Sequence, residues 1–144
     1  MRLSEAFNEA LDPSTDPIEV TVTSGGSSAT VDVIESDRLG VRVRSIQVHC
    51  AHPRTPEQAA VELPDALRDL PTRLVPTEVD ATLGGITLRT SPDDMPHGDF
   101  FQVDVRGDHT TIERLQPNQR GDRTNLDWTM TRDQLGRVLD KLGE

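Results

Sequence analysis

The spacing of apolar positions along the chain changes several times, and each change marks an element. Leu3, Phe7, Ala10 and Leu11 recur at helical spacing and Asp12-Pro13 closes the run, which predicts a short amphipathic helix over residues 3–11. A helix that short needs a surface to lie on. From Ile18 the period falls to two. Val20 and Val22 alternate with Thr21 and Thr23, Gly25-Gly26-Ser27-Ser28 supplies a turn, and Ala29, Val31 and Val33 resume the pattern. After a second turn at Asp37-Arg38-Leu39-Gly40, Val41 and Val43 continue, but the apolar phase then slips to Ile46 and Val48. A one-residue slip turns every later side chain to the other face, so a β-bulge is expected near Arg44-Ser45.

Helical spacing returns at Thr55-Pro56-Glu57-Gln58, where a threonine cap, a proline in the first turn and a glutamine three residues after the cap spell a capping box. Ala59, Leu63, Ala66, Leu67 and Leu70 form one stripe, and Pro71 ends it. Pro64 lies within the stripe, has no N–H and crowds the Ala60 carbonyl, which predicts two short helices or one kinked helix. Strands are then predicted over 74–81, 85–90, 99–106, 109–116 and 122–129. Residues 106–113 and 120–127 repeat an Arg-Gly-Asp turn followed by alternating residues, as successive strands of an antiparallel meander do. The last element is a helix: Thr131 caps, Asp133 sits in the first turn, Gln134 completes a second capping box, and Leu135, Val138, Leu139 and Leu142 share a face.

These elements give a single α+β domain over 1–144, a mainly antiparallel sheet with amphipathic helices on one face, in the order α-βββ-α-βββββ-α. Such a sheet has edges that must be paired, charged or covered, and pairing across a two-fold axis makes a homodimer the expected state.

Charge narrows the partners. The 144 residues carry 25 acids against 15 bases, for a net charge of −10, and acids are in excess in both halves. Nucleic acid and anionic membranes would both be repelled, and the absence of Tyr leaves few rings for base stacking. No run approaches the roughly 18 apolar residues of a membrane helix. Glu5, Asn8 and Glu9 fall where a signal peptide is apolar, and the single cysteine, Cys50, permits no internal disulfide, so a cytoplasmic location is expected. Arg is abundant and Lys141 is the only lysine, a bias that fits either salt tolerance or GC-rich coding.

Few residues suggest chemistry. His49-Cys50-Ala51-His52 concentrates imidazole and thiol, the donors zinc prefers, with a further ligand expected from His97, Asp99 or His109. No CxxC accompanies it. Cys50 as a nucleophile would need a base brought to it by the fold. Asp93-Asp94-Met95-Pro96-His97-Gly98-Asp99 gathers three carboxylates and an imidazole but lacks the Glu that closes a calcium loop. The two Arg-Gly-Asp triplets read as hairpin turns, and the pairs Gly25-Gly26 and Gly84-Gly85 have neither the Gly-Lys-Ser/Thr run nor the spaced glycine of a phosphate loop. Phe100 and Phe101 must point to opposite faces of a strand, and Phe101 and Trp128 are the residues expected on an interaction surface. The leading expectation is a non-enzymatic interaction protein, an adaptor or chaperone-like module that binds another polypeptide by its sheet surface or edge and needs no cofactor. The alternative is a zinc-binding protein or metal-assisted hydrolase using His49, Cys50, His52, His97 and Asp99.

Overall fold

Among the described residues, two of the three helices begin where their threonines dictate. Ahead of α2 (Pro56–Ala66), the Thr55 hydroxyl accepts from the Gln58 N–H at 3.1 Å and the Gln58 side chain accepts from the Thr55 N–H at 2.9 Å. Thr131 and Gln134 make the same reciprocal pair ahead of α3 (Arg132–Gly143), at 3.1 and 3.0 Å. Each pair satisfies two N–H groups that the first turn of a helix leaves without partners. The first helix, α1, spans Leu3–Ala10. Pro64 does not divide α2: its missing donor falls in the last turn, one helix runs on to Ala66, and the Leu67 N–H still reaches the Leu63 carbonyl at 2.9 Å. The computed structural model describes residues 2–11, 17–70, 73–80, 84–91, 98–117, 120 and 122–144, so the Asp12-Pro13 and Pro71 stops and Gly121 of the second triplet lie outside the described residues.

The strands are β1 (Ile18–Ser24), β2 (Ser27–Ser36), β3 (Val41–His49), β4 (Leu74–Asp80), β5 (Gly85–Thr90), β6 (Phe100–Arg106), β7 (His109–Pro117), β8 (Arg123–Leu126) and β9 (Trp128–Met130). They pair antiparallel in one sheet of order β1-β2-β3-β7-β6-β5-β4, with β8 on β7 and β9 on β3. The chain order is α-βββ-α-βββββ-α as expected, the last strand being delivered in two pieces.

That division follows from the bulge. Asp32 pairs with Ser45 and Val33 with Val43, which leaves Arg44 as the extra residue. Val41, Val43, Ile46 and Val48 are all buried, so the bulge absorbs the phase slip and keeps both halves of β3 on the core face. It also parts β3 from β7. Ser45–His49 pair with His109–Glu113, but beyond that point Val41–Val43 pair with β9 and Arg114–Pro117 pair with β8. At the changeover the Asp127 carbonyl accepts from Arg114 Nη1 at 3.0 Å, and Arg114 Nε pairs with buried Asp99 at 2.6 Å. The Asp127 carbonyl at the break thereby has a partner.

All three helices lie on one face. Leu3 and Phe7 of α1, Ala59 and Leu63 of α2, and Leu135, Val138, Leu139 and Leu142 of α3 join alternate residues of the strands in one core. The other face carries no helix among the described residues, and the pairing registers lay it out in rows. Ser28, His49, His109, Arg106 and Gly85 form one row. Thr30, Gln47, Thr111, Asp104 and Thr87 form the next. Asp32, Ser45, Glu113, Gln102, Arg89 and Val75 form a third, and Asn125, Leu115 and Phe100 a fourth. None of the helices among the described residues is long and apolar enough to cross a membrane.

Candidate functional site

The His49-Cys50-Ala51-His52 segment divides between two environments because successive side chains at a strand end point to opposite sides. The Cys50 thiol is buried and faces the end of α3, with Sγ 2.9 Å from the Glu144 carbonyl and 3.0 Å from that of His52. A helix leaves its last four carbonyls without internal partners. Arg54 donates to Lys141 O at 2.7 Å and Leu142 O at 3.4 Å, Ser27 donates to Gly143 O at 2.8 Å, and Cys50 serves Glu144. Cys50 is therefore part of the clasp that holds the C-terminus of α3, and its sulfur points away from His49.

His49 points to the open face. Its cross-strand partner is His109, and the flanking bond from the Cys50 N–H to the Asp108 carbonyl, 2.8 Å, makes the histidines a non-hydrogen-bonded pair, the closer of the two antiparallel spacings. His49 Nδ1 lies 3.4 Å from His109 Nε2, and the rings meet edge to face with centroids 4.7 Å apart. Asp108, placed by the β6–β7 turn, sets Oδ2 3.3 Å from His49 Nε2 and Oδ1 3.7 Å from His109 Nε2. The three side chains are between 39% and 65% exposed.

The other sequence candidates do not join this group. His52 is exposed in the bend after Cys50. Asp99 precedes β6 at its far end, buried against Arg114, about 20 Å along the strand from the histidines. His97, with Asp93 and Asp94 of the same loop, lies outside the described residues. Phe101 and Trp128 are buried on the helix side, 1% and 7% exposed, with their rings perpendicular and 5.2 Å apart. The expected interaction surface is corrected accordingly: of the adjacent phenylalanines, Phe100 reaches the open face.

Around Phe100 the open face changes character. Arg89 and Arg123 place their guanidinium carbons 5.4 and 5.6 Å from the ring centroid, within reach of its negative π face. Both guanidiniums are anchored by Gln102, whose Oε1 accepts from Arg89 Nε at 2.8 Å and from Arg123 Nη1 at 3.2 Å. Gln102 donates in turn to Asp104 at 2.8 Å, and Asp104 accepts from the Thr87 hydroxyl at 2.6 Å. No carboxylate among the described residues is ion-paired with Arg89 or Arg123. A groove of about 490 Å³ runs past them, lined by Val75, Thr77, Phe100, Pro117 and the two arginines. Nothing local in the sequence marks Arg89 and Arg123, which converge on Phe100 only through three successive pairings among β5, β6, β7 and β8. No protein-family model, curated protein or solved structure matches the chain.

Proposed function

We propose that the protein is a non-enzymatic interaction module that takes up a segment of another polypeptide on the open face of its sheet, in the groove at Phe100. The supporting observation is the combination found there. Two guanidiniums without a carboxylate partner among the described residues flank a half-buried aromatic ring in a largely apolar groove, on a chain of net charge −10. The ligand that fits is a segment with a carboxylate beside an apolar or aromatic side chain. The carboxylate meets guanidinium donors, and the apolar group covers Phe100, Val75 and Pro117. Gln102 holds both arginines before anything binds, so less side-chain entropy is lost on binding.

A homodimer belongs to the same proposal. The outer edge β4 carries Pro76 and an irregular register between Pro76 and Glu78, both of which blunt edge pairing. The opposite edge, β1, is regular over its seven residues with Ile18 46% exposed, and is the edge suited to a second copy.

The test is fluorescence anisotropy of a labelled peptide alternating Asp with Phe, beside the same peptide with Lys for Asp. The acidic peptide is expected to bind and the basic one not. Arg89→Glu and Arg123→Glu should each weaken binding about tenfold or more, as loss of a charge-assisted bond implies. Equal binding of both peptides, or indifference to both substitutions, overturns the reading.

A further inference from the structure

We propose that His49, Asp108 and His109 form a binding site for one divalent transition-metal ion of the zinc class. Each residue offers one ligand atom, and those atoms all lie within 4.8 Å of one another. A tetrahedral ion with bonds of about 2.0–2.1 Å needs donors about 3.3–3.4 Å apart, and two of the observed contacts are 3.3 and 3.4 Å. These contacts use the two different nitrogens of His49, so only one of them can be a donor spacing at a single ion, and the half-exposed side chains, whose ligand atoms lie within 4.8 Å of one another, must draw together around it.

The backbone keeps the donors together. His49 and His109 are register partners on neighbouring strands, and Asp108 is fixed by the bond from the Cys50 N–H to its carbonyl. Two imidazoles and one carboxylate select a borderline ion, since magnesium and calcium require more oxygen donors than this set contains. The nearest cation in the row, Arg106, is drawn the other way. It lies over Gly85, where any side chain would collide with it, and pairs with Asp104 at 3.7 Å. Three protein ligands leave a fourth position for water or for a donor from another molecule. Neither Cys50 nor His52 contributes. The site is separate from the Phe100 groove and stands independently of it.

Chelator-treated protein titrated with zinc chloride in a calorimeter tests the proposal. The expected result is one ion per chain, with affinity lowered more than about tenfold in His49→Ala and in His109→Ala, lowered in Asp108→Asn, and unchanged in His52→Ala and Cys50→Ser. Zinc should also raise the thermal midpoint of the wild-type protein and not that of His49→Ala, a readout that requires only folded protein. No binding at millimolar zinc, or binding retained in the His49→Ala, His109→Ala double variant, overturns it.

Discussion

The two faces of the sheet are built from the same strands and serve opposite ends. On the covered face, most alternate residues are apolar and join the core with the helices; Phe101 and Trp128 meet edge to face there at 1% and 7% exposure. On the open face, most alternate residues are polar or charged, Val75 and Leu115 excepted, and the one large ring, Phe100, is held between two cations and left within reach of solvent. Adjacent residues thus divide between the core and the open face. The residues that hold the fold together are poor places to look for what it binds.

The largest predicted contrast is between the two phenylalanines. Phe101→Ala should cost about 3–5 kcal/mol, whereas Phe100→Ala should cost about 1 kcal/mol or less, measured by denaturant unfolding with Trp128 as the reporter. Similar costs at both positions would erase the distinction between the faces. Next in size, Asp99→Asn should cost about 2 kcal/mol, because it leaves Arg114 without its buried carboxylate while Arg114 keeps the Asp127 carbonyl and some solvent. A neutral result would mean that the break between β8 and β9 is held by other bonds. Cys50→Ala should cost about 1 kcal/mol through the loosened end of α3. A thiol that reacts with alkylating reagent as fast as free cysteine would contradict the buried clasp.

The smallest effect concerns pH. The Asp37 carboxylate accepts from the Gly40 N–H at 2.9 Å and the Leu39 N–H at 2.8 Å, and these bonds, that from Gly40 foremost, hold its pKa below the ordinary carboxylate value. A lowered folded-state pKa means that the turn is supported above the ordinary value and loses that support as pH falls through the lowered one. Side-chain carboxyl shifts followed by NMR should show Asp37 titrating below the ordinary aspartate value as acid is added.

Much of the fold was legible because it rests on local signals. Both capping boxes, the alternation in β1 to β3 and the slip at Arg44-Ser45 can be read from neighbours in sequence. The phase slip was informative because a bulge is the only local way to keep Val43 and Ile46 on one face. The division of the last strand was not legible. It depends on β3 and β7 diverging, a long-range consequence that residues 122–129 do not carry themselves. The candidate sites were legible in part for the same reason. His49 and His109 are each recognisable as donors in the sequence, but 60 positions separate them, and only the β3–β7 register makes them partners. Cys50 attracted attention by its neighbours, whereas strand alternation turns it to the opposite side.

The central claim is that the open face, at Phe100, is where a partner segment is held. Amide chemical-shift mapping with the Asp-Phe peptide tests it most directly. The account predicts shifts concentrated at Val75, Arg89, Phe100, Gln102, Leu115 and Arg123, with α2 and α3 unmoved. Shifts centred on α2 and α3, or spread without preference over both faces, would contradict it.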